Sequence, residues 1–158
     1  MTPGLTRRET CQLALCGLAG LGCGLKGDPT RDSGAALDSG SAPSGGPDPS
    51  DPDWVELPLA DYPALAEVGG QAAVSVPEAL LEVVVAQPEE DVYIAVWRIC
   101  THGACEVSWE PEARDLLCPC HGSRFGEDGQ VTEGPATAPL RSFPAARLGE
   151  SVWVYRPR

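Results

Sequence analysis

Two short stretches hold the residues able to bind metal or move electrons. They are Cys100-Thr101-His102-Gly103-Ala104-Cys105 and Cys118-Pro119-Cys120-His121-Gly122-Ser123. The chain has only two histidines, and each stands near cysteines in one of these stretches. Each stretch offers a thiolate and an imidazole, as Cys-x-His in the first and Cys-x-x-His in the second. Two sulfurs and two nitrogens suit a tetrahedral zinc ion. They equally suit a two-iron, two-sulfide cluster with two thiolates on one iron and two imidazoles on the other. The residue types leave both open. No nucleophile–base pair and no substrate pocket is readable, so a self-sufficient enzyme is not expected.

Loop-borne ligands need a rigid frame, and the flanking sequence reads as strands. Trp54–Leu59 is extended before Pro63, Val74 and Val76 alternate with small residues, and Leu80–Ala86 is a compact β-branched run. From Val92 to Ile99 both sides of the strand are mostly apolar, which predicts a central position. Asp115–Leu117 leads into the second cysteine stretch. Asp128-Gly129 is a hairpin-turn signal. Leu140–Leu148 and Val152–Tyr155 close the domain around Gly149-Glu150. Short strands with turns every 8–12 residues predict an all-β fold, an antiparallel sandwich or barrel. The 18 glycines and 16 prolines among 158 residues argue against a helical bundle.

The remainder divides into two segments. Residues 1–26 read as an export signal: Arg7 and Arg8 precede an uncharged run from Thr10 to Leu25. As a helix that run rises about 24 Å, short of a ~30 Å hydrocarbon core. The arginine pair resembles a twin-arginine signal. Leu21-Gly22-Cys23 resembles a lipoprotein cleavage box with Cys23 as the lipidated residue. Residues 27–53 are Gly, Pro, Ser, Asp and Ala with almost nothing to bury, and they read as a disordered tether. The folded unit is 54–158. The seven cysteines divide accordingly, with Cys11, Cys16 and Cys23 in the signal and four in the two stretches. A formal net charge of −12 with one lysine, Lys26, excludes nucleic-acid binding.

At the two stretches the sequence resembles the Rieske iron–sulfur family. The match is Cys-Thr-His-x-x-Cys, then residues 106–117, then Cys-Pro-Cys-His-Gly-Ser. A weaker strand and turn pattern extends it over about residues 54–158. The paired-cysteine version resembles members found in cytochrome bc-type complexes and arsenite oxidase. The resemblance implies a [2Fe–2S] cluster, with Cys100 and Cys118 on the inner iron and His102 and His121 on the outer, solvent-facing iron. It implies a disulfide between Cys105 and Cys120. Such a bridge closes about 16 residues and is worth roughly 3 kcal/mol in the chain-entropy model. It implies that Ser123 hydrogen-bonds a bridging sulfide and that Gly134-Pro135-Ala136 forms a proline loop over the cluster. The implied fold is a Rieske β-sandwich with an inserted cluster-binding subdomain.

Given that cluster, replacing two thiolates by neutral imidazoles removes two negative charges. The electron becomes easier to accept, and histidine ligation couples it to a proton. The implied role is one-electron transfer in an exported protein held at the periplasmic side of a bacterial membrane by a tether or lipid anchor. It would be a stand-alone carrier or the small subunit of a periplasmic oxidoreductase. The implied partner is a redox protein, a quinol or a c-type cytochrome. A competing expectation is the Rieske subunit of a quinol-oxidising cytochrome bc-type complex. Two residues count against it: Gly103 stands where such complexes tend to carry leucine, and Phe125 where they usually carry a tyrosine that meets a ligand sulfur. A third expectation, from another class, is a zinc-stabilised binding module with no redox role.

Overall fold

A computed structural model describes residues 44–158. The expected export signal at 1–26, with Arg7, Arg8 and Cys23, lies outside the described residues, as does the 27–43 part of the tether expected over 27–53. Residues 44–53 run largely as turns. Asp48 accepts the Ser50 amide at 2.8 Å and Asp51 the Asp53 amide at 2.9 Å, the local bonding that favours Asp in turns.

Eleven strands follow: β1 (Trp54–Pro58), β2 (Gln71–Val76), β3 (Leu81–Glu89), β4 (Val92–Trp97), β5 (Ser108–Glu110), β6 (Asp115–Leu117), β7 (Arg124–Phe125), β8 (Val131–Glu133), β9 (Ser142–Phe143), β10 (Ala145–Leu148) and β11 (Ser151–Tyr155). Single 3-10 turns occupy Pro63–Ala66 and Pro77–Ala79. The strands form three antiparallel sheets, ordered β1-β11-β10, β2-β3-β4-β9 and β5-β6-β7-β8. The fold is therefore all-β, as the sequence predicts, and the third sheet is the inserted subdomain that carries the cysteine stretches.

The apolar run in β3 has a structural reason. Leu81, Val83 and Val85 face one core with Leu57, Leu65 and Val152, while Val84 and Ala86 face a second with Trp109, Leu116 and Phe125. One strand thus serves two cores, which is why both faces of Val83–Ala86 are apolar. β4 sits centrally, between β3 and β9.

Three details correct the sequence reading. Leu80 is not in a strand. It ends a 3-10 turn in the left-handed region (φ 49°) and is 70% exposed. Leu140–Leu148 is not one strand, because Pro144 lacks a ladder donor. The chain changes sheets there: β9 pairs with β4 and β10 with β11. Strands β5, β7 and β8 were not expected, since two or three residues are too few to show alternation. The Asp128-Gly129 turn does join β7 to β8. Gly129 has φ 82°, and an added Cβ would lie 2.5 Å from the Leu140 carbonyl oxygen, so only glycine fits.

Candidate metal centre

Each cysteine stretch is a six-residue loop closed on its own backbone. The Cys100 amide donates to the Cys105 carbonyl at 2.8 Å, and the Cys118 amide donates to the Ser123 carbonyl at 2.8 Å. The first loop joins β4 to β5 and is anchored by a bridge between Ile99 and Glu106. The second joins β6 to β7, and its turn requires Gly122 at φ 77°. A Cys105–Cys120 disulfide with a Cα separation of 6.4 Å ties the two loops together.

The donors divide by depth. Cys100 and Cys118 are free thiols, 4% and 1% exposed. They are hydrogen-bonded to each other. His102 and His121 are exposed, and their rings meet edge to face with centroids 4.7 Å apart. The structure therefore brings all four donors to one end of the subdomain, sulfurs inside and imidazoles outside.

The thiols differ electrostatically. Burial works to raise the Cys100 pKa. Donors from the His102 amide, the Cys118 thiol, the Gly103 amide and the Ser123 hydroxyl outweigh it and bring the group below its ordinary value. Burial pushes Cys118 up, helped by its donation to Cys100, with the Cys120 and His121 amides opposing. Both sulfurs are thus already supplied with donors that favour thiolate charge.

Two hydroxyls hold a third segment against the loops. Thr101 donates to the Ala138 carbonyl at 2.5 Å, and Ser123 accepts the Ala136 amide at 3.0 Å. The expected proline loop, Gly134-Pro135-Ala136, is therefore strapped to both stretches. Ser123 is fully buried. The Thr101 contact was not readable, since nothing in sequence links it to a residue 37 positions away. Gln71 was also missed. Its amide accepts from the Trp109 amide at 2.7 Å and donates to the Trp109 carbonyl at 3.0 Å, clipping the free edge of β5 to β2. Phe125 and Trp109 are packing residues in the core that includes Cys100 and Cys118.

The residues fit a two-iron group. A lone tetrahedral zinc needs its donors around one point. Among the described residues no three His, Cys, Asp or Glu side chains gather in that way. Two thiols and two imidazoles in separate pairs are what two ions require.

Comparison with known proteins agrees. The family model of the Rieske [2Fe-2S] domain matches residues 55–144, more than half of the chain. The "Cytochrome b6-f complex iron-sulfur subunit 3" of Nostoc is 42% identical over 55 residues, covering 35% of this chain and 31% of that protein. The "Cytochrome b6-f complex iron-sulfur subunit" of Chlorobaculum tepidum is 43% identical over 49 residues, covering 31% and 27%. The chain thus matches about a third or less of these relatives' length. Among solved structures, the ferredoxin of carbazole 1,9a-dioxygenase from Nocardioides aromaticivorans superposes with a TM-score of 0.53 at 23% identity, over 64% of this chain and 94% of that one. That likeness concerns the fold.

Proposed function

This chain belongs to the Rieske [2Fe-2S] family, and from that membership we propose that it carries single electrons between partners outside a bacterial cytoplasmic membrane. Membership brings a [2Fe–2S] cluster with two cysteine and two histidine ligands. The reading assigns Cys100 and Cys118 to one iron, and His102 and His121 to the other. The observation that carries it is the sorted pairing of donors, with two free thiols bonded together below the surface and two imidazoles 4.7 Å apart above them.

When bound, the cluster supplies a one-electron centre whose histidine ligands place its potential above that of an all-cysteine centre. The chain's own residues govern the rest. Cys100 and Cys118 release protons on ligation, and the amides of His102, Gly103, Cys120 and His121 support the resulting charge. Ser123 aims its hydroxyl at Cys100. His102 and His121 are the exposed members, so exchange with a partner runs through the tip.

The proposed setting is export and tethering. Arg7-Arg8 before an uncharged run supports transport of a folded, cluster-loaded protein, and the composition of residues 27–53 supports a tether. Lipidation of Cys23 would add an anchor. Within that setting we read a stand-alone carrier or the small subunit of an oxidoreductase. A second reading, the Rieske subunit of a quinol-oxidising complex, is favoured by the names of the b6-f relatives. Gly103 and Phe125 weigh toward the first.

Replacing His102 or His121 with Ala is expected to abolish the native cluster, read as loss of the reduced protein's EPR signal and of iron and acid-labile sulfide. Retention of the native spectrum in either variant would overturn the assignment. Colourless protein with stoichiometric zinc would establish the non-redox class instead.

A further inference from the structure

The tip is electrically unlike the rest of this chain. Against a formal net charge of −12, residues 101–104, 119–122 and 134–138 include no Asp, Glu, Lys or Arg. Beneath this uncharged apron, two arginines each hold one carboxylate closely and a second loosely. Arg98 lies 2.6 Å from Glu82 and 3.6 Å from Glu106. Arg124 lies 2.7 Å from Asp115 and 3.9 Å from Glu133. The looser partner is the more exposed in both cases, with Glu106 at 56% against 34% for Glu82, and Glu133 at 69% against 16% for Asp115. Long, exposed ion pairs contribute little, so both carboxylates are available to another cation. Both adjoin the tip: Glu106 follows Cys105, and Glu133 precedes Gly134.

Gly103 adds a second observation. An added Cβ would meet nothing within 4 Å, and its φ is not left-handed. Neither packing nor backbone geometry asks for glycine there. A surface approaching His102 from outside would therefore meet the missing side chain.

Building on the electron-transfer reading, we infer that the tip docks a protein whose uncharged contact face is bracketed by Lys or Arg side chains that meet Glu106 and Glu133. Gly103 sets the closest approach to His102. Flanking opposite charges steer encounter and fix orientation. Glu90 and Glu112 carry the same charge, but they lie in the turns that close β3–β4 and β5–β6 at the ends of those strands remote from the cluster loops. They attract a basic partner without orienting it.

The test mixes reduced, cluster-loaded protein with a basic ferric cytochrome c in a stopped-flow spectrometer at several ionic strengths. One electron leaves the reduced centre and one ferric haem becomes ferrous. Glu106→Gln/Glu133→Gln is expected to slow the reaction about tenfold at low salt, equivalent to ~1.4 kcal/mol, and to flatten its salt dependence. Glu90→Gln/Glu112→Gln, with the same change in net charge, is expected to alter the rate less than about twofold. Gly103→Trp is expected to slow the reaction even at high salt. The EPR spectrum, unchanged in the two double variants, shows that the slowing arises at docking and not at the centre. Equal slowing by the two double variants, or a wild-type rate for Gly103→Trp, would overturn the inference while leaving electron transfer in place. Failure of the unaltered protein to acquire a cluster would remove the underlying reading instead.

Discussion

Replacing Ser123 with alanine probes the centre from two sides at once. The residue is fully buried, and its Oγ accepts the Ala136 amide at 3.0 Å while its hydroxyl supports the Cys100 sulfur. Alanine removes both contacts and leaves a small void. Ala136 is itself only 5% exposed, so its amide is left without a partner, which costs about 1–3 kcal/mol. The sulfur contact acts on the potential. A donor to a ligand sulfur stabilises the added electron more than the oxidised centre. If that difference is about 1.4 kcal/mol, the midpoint of a one-electron couple falls by about 59 mV when the donor is removed. Urea unfolding reads the first effect and a redox titration followed by EPR reads the second. An unchanged or higher potential would refute the donor role of Ser123. Unchanged stability would refute its hold on the third segment.

Other perturbations follow from the same geometry. The double variant Cys105→Ser/Cys120→Ser opens a loop with a sequence separation of 15. It is expected to lose roughly 3 kcal/mol in urea unfolding; a loss below about 1 kcal/mol would contradict the stapling role. Gln71→Ala removes both bonds to the Trp109 backbone, at about 1–3 kcal/mol. Hydrogen exchange in β5 and β6 should rise, and exchange at the original rate would show that the clip is dispensable. Phe125→Tyr places a hydroxyl in the core shared with Cys100 and Cys118. It is expected to raise the midpoint potential, and an equal or lower value would count against tuning from this position.

The parts legible in sequence were those with chemically distinctive residues or long patterns. Two histidines, each within two positions of a cysteine, mark the tip because scattered residues seldom fall that way. The β-branched run ending at Ala86 marks β3 because burial on both faces keeps Val83–Ala86 free of polar residues. The hidden parts depend on single contacts between distant positions. Thr101 reaches Ala138 and Gln71 reaches Trp109 through individual hydrogen bonds that leave no periodicity. Strands β7 and β9 have two residues each, below the length at which alternation means anything. Pro144 was readable in principle, since a proline inside an extended run signals an edge or a break. Leu80 was misleading, because an exposed leucine in a left-handed turn looks in sequence like the first residue of the apolar run after it.

The most direct test of the central claim uses the fact that the chain has only two histidines. Labelling with [15N]histidine therefore reports on His102 and His121 alone. In the reduced, cluster-loaded protein, pulsed EPR should detect hyperfine couplings from two directly bound 15N nuclei. A paramagnetic cluster without histidine nitrogen couplings, or purified protein with no iron and acid-labile sulfide, would contradict the account.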